Sequence, residues 1–159
     1  MRFTVICVGK IKEKFFREAV DEYSKRLSRY VTLNIIEVGD EMTPDGASEG
    51  LRLSILEKEG KRILSKIGDN DSVVCLEING KKLSSEELSG WIEGSAVSGR
   101  SNLCFIIGGS LGLHPMVTQR ADLHLSFSDM TFPHQLMRVV LLEQLYRAEK
   151  IINHEPYHK

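Results

Sequence analysis

Apolar and polar positions along this 159-residue chain follow two alternating periods. Short apolar runs bounded by glycine or polar residues predict buried strands, and longer segments with apolar residues three and four apart predict amphipathic helices. The strands predicted in this way are Phe3–Val8, Val31–Val38, Ser72–Ile78, Leu103–Ile107 and Leu123–Ser126. Strands that alternate with helices predict an α/β fold, a mostly parallel sheet flanked by helices.

Helices are predicted in each interval between these strands. They cover 13–27, 51–67, about a dozen residues from Ser84, a short helix at 114–120, and a long segment that starts at Pro133. Ser84 and Glu87 have the spacing of a capping box, and a proline suits the first position of a helix because it lacks an N–H. The pair Asn79-Gly80 predicts a turn that ends the third strand.

The last predicted helix is apolar on more than one face. Its apolar residues are Leu136, Met137, Val139, Val140, Leu141, Leu142, Leu145 and Tyr146. A helix that is apolar most of the way round needs two partners. One is the sheet of the same chain, and we expect the other to be a second copy in a symmetric homodimer.

Two arginines interrupt this apolar helix. Arg147 has Glu143 four residues before it, a spacing that favours a surface ion pair. Arg138 has no such acid nearby in the sequence. Arg138 is therefore the better functional candidate of the two.

The candidate site lies where two of the predicted strands end. Gly108 to Gly112 follow the fourth strand, and Ser128 to His134 follow the fifth. Parallel strands end at one edge of the sheet, where small ligands bind in open α/β folds. The glycines match neither the phosphate-loop nor the dinucleotide pattern. Neither loop carries a cation for a triphosphate, which leaves transfer chemistry on a ligand held mainly by the backbone.

Composition bounds the class of protein. With 42% hydrophobic and 27% charged residues, the chain is ordinary for a single domain over 1–159. No apolar run has the length of a membrane span, and the N-terminus has no signal-peptide pattern. Three cysteines inside apolar runs predict reduced core residues in a cytoplasmic protein. No metal site is predicted, because His154 and His158 lack cysteine or carboxylate neighbours.

The net charge of −1 argues against nucleic-acid binding by bulk charge alone. The charge is nevertheless uneven, with eight Lys/Arg against four Asp/Glu in residues 1–30 and five against ten in residues 31–80. The basic excess is typical of solvated helix faces, or else of a patch that contacts phosphate.

Several segments together resemble one bacterial family, the ribosomal RNA large-subunit methyltransferase H family. They are FIIGGSLGLH (105–114), LSFSDMTFPHQLMRVVLLEQLYRA (125–148) and NHEPYHK (153–159), with VGKIKEKF near the N-terminus and LEINGK in the centre. This family belongs to the knotted SPOUT class of S-adenosylmethionine-dependent RNA methyltransferases. Asp129 departs from the resemblance, because a basic or apolar residue is expected there, and the 39–50 loop is unusually rich in glycine.

The resemblance implies an activity and a cofactor site. The implied reaction is methylation of N3 of a pseudouridine in 23S rRNA within the assembled 70S ribosome, by a cytoplasmic homodimer with no metal and no membrane association. The sheet is then expected to end in a C-terminal trefoil knot, an exception to the rule against threaded chains. The implied contacts to S-adenosyl-L-methionine are Leu76, Gly108, Phe127, Ser128, Asp129, Met130, Thr131 and Phe132.

The C-terminal tail supplies the remaining candidates under this resemblance. His158 or His154 is expected to take the N3 proton, and Tyr157 to stack on or orient the base. Arg138 or Arg147 is expected to contact phosphate. Without the resemblance, the tail reads equally well as a frayed terminus. Two other functions remain open, a SPOUT methyltransferase acting on tRNA and a non-catalytic dimer that binds RNA or the ribosome.

Overall fold

A computed structural model describes residues 1–159 as five strands and five helices that alternate along the chain. The elements are β1 (Arg2–Val8), α1 (Lys14–Leu27), β2 (Thr32–Val38), α2 (Glu49–Leu64), β3 (Ser72–Lys82), α3 (Ser85–Val97), β4 (Asn102–Ile107), α4 (Pro115–Thr118), β5 (Leu123–Ser126) and α5 (His134–Ile152). All five predicted strands are present, and the predicted capping box of Ser84 and Glu87 is formed at the start of α3. Pro133, the predicted first residue of the last helix, is instead its N-cap, and α5 begins one residue later, at His134.

The five strands form one parallel sheet in the order β2-β1-β4-β3-β5. Side chains of a strand alternate between the two faces, so β1 contributes Phe3, Val5 and Cys7 to one core and Ile6 and Val8 to the other. The first core also holds residues of α1, α3 and α5, and the second holds residues of α2 and α4. The predicted α/β class with a flanked parallel sheet is confirmed.

The predicted turn at Asn79-Gly80 is wrong, because β3 continues to Lys82. Leu125 of β5 pairs with both Leu76 and Lys81, so the intervening residues bulge out of the strand. A Cβ on Gly80 would lie 2.7 Å from the carbonyl carbon of Leu125. Glycine is needed here because the β5 backbone approaches so closely, and this contact is long-range.

The two apolar sides of α5 are covered within its own chain, whereas the sequence predicted that a second copy would cover one of them. α5 packs on the sheet and between α1 and α3 of the same chain. Leu141, Leu142 and Leu145 are fully buried by these contacts alone. Leu136 and Val140 are only partly buried and belong to neither core. They form the apolar part of the outer face of α5.

The cysteines Cys7, Cys75 and Cys104 are buried and unpaired. Burial raises the pKa of each thiol to about 12, because the thiolate would lose its hydration. None of the five helices is both long enough and apolar enough to cross a membrane. No group of three or more His, Cys, Asp or Glu side chains is placed to hold a metal ion.

Candidate active site

A cavity lies at the predicted site, beyond the carboxyl ends of the three neighbouring strands β4, β3 and β5. It has a volume of about 500 Å³ and is lined by the end of β3, the glycine loop after β4, the loop after β5 and the first turn of α5. That volume is within the roughly 300–1,000 Å³ of small-molecule sites. Glu77 and His134 are its only ionisable lining residues. With no lysine or arginine, the lining suits a neutral or cationic ligand better than a polyphosphate.

The glycine loop, residues 108–112, is a tight turn closed on itself. The Gly112 N–H donates to the Gly109 carbonyl at 3.1 Å, and Gly112 has a φ of +85°. A Cβ on Gly108 would lie 2.4 Å from the Gly112 carbonyl oxygen. A side chain at 108 would therefore displace the loop backbone, which leaves backbone groups as the polar surface of this wall.

Seven of the eight residues expected to contact the cofactor line the cavity. They are Leu76, Gly108, Phe127, Ser128, Met130, Thr131 and Phe132. Asp129 is the exception, since its side chain is 80% exposed and forms an ion pair with Lys82. In this arrangement Asp129 fixes the outside of the loop to the end of β3.

His134 also lines the cavity, and it was absent from the sequence candidates. It is the first residue of α5, directly after the loop that follows β5. Its imidazole makes no intramolecular hydrogen bond, and burial lowers its pKa, helped by the positive charge of Arg138. The available sequence signal was its position, because a histidine that opens a helix at the carboxyl edge of a parallel sheet faces the ligand side.

Arg138 lies one turn further along α5, with only 1% of its side chain exposed. Its guanidinium donates to Glu37 Oε1 at 2.5 Å and to the Gly9 carbonyl at 3.0 Å, while Nε has no partner. These contacts connect α5 to the ends of β1 and β2. Arg138 is thus enclosed beneath the site, and this geometry does not support the expected contact with phosphate.

The C-terminal tail packs on the C-terminal half of α5. Tyr157 donates to Glu143 Oε1 at 3.1 Å, and its ring lies edge-on to Tyr146 with centroids 4.9 Å apart. Arg147 lies over the Tyr157 ring at 4.7 Å and also donates to Glu143, the ion pair that its spacing predicted. Burial, a hydrogen bond with Tyr23 and the negative charge of Glu143 raise the pKa of Tyr157 to about 12, so its hydroxyl stays a donor at neutral pH. The structure therefore brings Arg147, Tyr157 and His158 together.

His158 uses both of its ring nitrogens inside this cluster. Nδ1 lies 3.3 Å from Arg147 Nη1, and Nε2 lies 2.6 Å from Glu86 Oε1. Arginine is only a donor and an ionised carboxylate only an acceptor, so Nδ1 accepts and Nε2 carries the hydrogen. His154 stands apart, exposed and with a φ of 55°. Glu143 and Arg147, the residues of α5 that hold the tail, lie nine and thirteen residues after His134, or about 14 and 20 Å along the helix axis.

Comparison with known proteins agrees with this geometry. The family described as "Predicted SPOUT methyltransferase" matches residues 1–158. The chain belongs to the SPOUT methyltransferase family. It is 60% identical to the ribosomal RNA large subunit methyltransferase H of Clostridium botulinum (strain Alaska E43 / Type E3), over the full length of both chains. The proteins of that name from Clostridium novyi (strain NT) and Bifidobacterium animalis subsp. lactis (strain AD011) are 58% and 57% identical, again over full length.

Proposed function

We propose that this protein transfers a methyl group from S-adenosyl-L-methionine to N3 of a pseudouridine in 23S rRNA of the assembled 70S ribosome. The observation that carries the proposal is the cavity between the glycine loop and the loop after β5, in a SPOUT family member similar over its full length to ribosomal RNA large subunit methyltransferases. A C-terminal trefoil knot and a cytoplasmic location belong to the same proposal.

The cavity fits the proposed cofactor in shape and charge. Leu76, Gly108 and the Phe127–Phe132 loop offer apolar surface and backbone donors and acceptors, the groups that hold an adenosine without a cation. The bound cofactor supplies an electrophilic methyl group on a positively charged sulfur. The protein then has two tasks, the alignment of the acceptor nitrogen with that methyl group and the removal of the N3 proton.

The position of the tail supports a site built from two chains. Tyr157 and His158 are held by Glu143 and Arg147, nine and thirteen residues along α5 from His134, or about 14 and 20 Å along the helix axis. We propose a homodimer through the outer face of α5, around Leu136 and Val140, in which each tail reaches the cavity of the partner. Tyr157 and His158 would there complete the surface that holds the target base.

A basic depression beside the tail supports RNA as the substrate. Lys25, Arg26 and Arg29 of α1 line it together with Tyr146. Glu22 also lines the depression and pairs with Arg26 at 2.8 Å, and the Arg26 guanidinium lies 5.8 Å from the centroid of the Tyr146 ring. A dimer doubles the patch, so a chain of nearly neutral net charge can still hold phosphate at two places.

The decisive experiment offers the purified protein labelled S-adenosylmethionine with three substrates: intact 70S ribosomes, protein-free 23S rRNA and bulk tRNA. Transfer to ribosomes alone, located at a pseudouridine by mass spectrometry of the digested RNA, is the expected result. Transfer to tRNA would show that tRNA, and not 23S rRNA, is the substrate. Failure to bind the cofactor in calorimetry would favour the non-catalytic dimer instead.

A further inference from the structure

The proposed reaction needs a group that takes a proton, and the tail does not present one. Neutral imidazole has one lone pair, and in His158 that lone pair, on Nδ1, already accepts from Arg147. The other nitrogen donates to Glu86 at 2.6 Å. While these contacts hold, His158 has no acceptor to offer. Its contacts with Arg147 and Glu86 hold the tail against α5 and α3.

His134 has the opposite environment. Its imidazole is unpaired and lines the cavity, with the wall of Thr131, Phe132 and Met137 around it. Nε2 lies at the β1–α1 loop, 3.5 Å from the position of a Cβ on Gly9. A half-buried ring with an open lone pair inside a ligand cavity is placed for contact with a ligand rather than for support of the fold.

The charges around His134 keep the ring neutral. Burial lowers its pKa first, and Arg138 of the same helix and Lys12 of the β1–α1 loop lower it further. Asp40 and Glu13 act in the opposite direction, without reversing the shift. Its place at the positive N-terminus of α5 also disfavours imidazolium. Besides joining α5 to Glu37 and Gly9, Arg138 therefore disfavours protonation of His134, because its fixed positive charge lies one helical turn from the imidazole.

We propose that His134 is the general base that removes the N3 proton of the target base as the methyl group arrives. This inference rests on the proposed function. The N3 lone pair forms the new N–CH3 bond while the S–CH3 bond breaks, and its electron pair returns to sulfur. The N3 proton passes to the imidazole, so the single positive charge moves from the sulfonium to His134. Histidinium then releases its proton to water.

The proposal predicts a particular dependence on pH. A base whose pKa is lowered stays unprotonated below the ordinary range of histidine, so the rate should hold to a lower pH than an ordinary histidine base would allow. Without His134, the rate should climb with pH throughout, because hydroxide and the ionised target base replace the missing acceptor.

The test compares His134→Gln with His158→Gln, each as the full-length protein on 70S ribosomes under single-turnover conditions. His134→Gln should lower the rate constant by roughly a hundredfold or more, the scale of general-base catalysis, and leave cofactor affinity in calorimetry within about twofold. His158→Gln should lower the rate less and keep the wild-type pH profile. If His134→Gln keeps that profile, the inference is wrong.

A second measurement needs neither cofactor nor RNA. In NMR of the protein with labelled histidine, the resonance lost in His134→Gln should titrate at a lower pH than a free histidine in solution. A resonance that titrates at or above the ordinary histidine range would overturn the inference. If the wild-type protein methylates no ribosome, the proposed function fails, whereas a profile unchanged by His134→Gln in an active enzyme refutes only the base assignment.

Discussion

Individual residues of the site act through backbone geometry as much as through side chains. Gly108 is surrounded by the backbone of its own loop, and Gly80 by the backbone of β5. In both places the space for a Cβ is occupied by atoms that do not rotate away. At Gly108, in the cavity wall, and at Gly80, outside the cavity lining, any side chain would therefore have to displace backbone.

Gly108→Val should abolish binding of S-adenosylmethionine. The clash is with the Gly112 carbonyl, so the loop must move, and the cavity loses its wall rather than being filled by a side chain. Calorimetry measures the loss, with Gly90→Ala in the exposed part of α3 as a control, because a Cβ there meets nothing within 4 Å. Unchanged affinity in Gly108→Val would show that the cofactor binds elsewhere.

A second prediction at this scale concerns Glu149, a carboxyl group 6% exposed near the end of α5. Burial raises its pKa in the folded protein above the unfolded value. The folded state then binds more protons than the unfolded state between these two values, so Glu149 destabilises the fold increasingly as pH rises through that window. Glu149→Gln should raise the melting temperature at neutral pH and have little effect below the ordinary carboxyl pKa.

The matched control for this prediction is Glu93→Gln, on the exposed surface of α3. It should change the melting temperature little at either pH, because an exposed carboxylate keeps its hydration. A Glu149→Gln variant that is less stable at neutral pH would indicate an unrecognised partner for the carboxylate.

At the scale of elements, hydrophobic periodicity together with the capping box at Ser84 and the proline at 133 predicted every strand and helix, because spacing and end signals are local information. The failures involve long-range contacts. The turn at Asn79-Gly80 followed local propensity, yet Gly80 is there because β5 crosses it. Likewise, the pattern of α5 showed that two sides are covered but not that α1 and α3 cover one of them. The contact of His158 with Glu86 was also not predictable from local sequence, since the two residues are 72 positions apart.

The two faces of α5 should respond differently to charge. Leu141→Asp or Leu145→Asp should unfold the chain, because both side chains are fully buried within one copy, at a cost on the order of 3–5 kcal/mol each. Val140→Glu, on the outer face, should instead give a folded monomer with little activity. Sedimentation and circular dichroism separate these results. A folded, dimeric and fully active Val140→Glu protein would place the dimer interface elsewhere.

On the scale of the whole molecule, the cavity and the tail occupy different parts of one chain and are expected to meet only between two. The position of the cavity was predictable from where the parallel strands end. The order of the tail was not, because Tyr157 and His158 are fixed by Glu143, Arg147 and Glu86 rather than by local sequence.

Deletion of Pro156–Lys159 tests this division of labour. The fold, the dimer and cofactor affinity should change little, because these four residues contribute to neither core. Methyl transfer to ribosomes should fall roughly a hundredfold or more, the scale of lost substrate positioning. Removal of Lys159 alone is the control and should preserve the rate. Full activity in the longer deletion would return the tail to a structural role.

α5 links the two parts of the site as a single helix of 19 residues, from the cavity at His134 to the tail after Ile152. A helix sets an angle as well as a length: each residue adds about 1.5 Å and turns the chain by about 100°. One residue inserted between His134 and Glu143 would rotate the tail away from its direction, whereas a change in the tail itself would leave that direction intact. The helix thus sets both the distance and the direction from the cavity to the tail. The number of residues in α5 is therefore constrained even where its side chains contact only solvent.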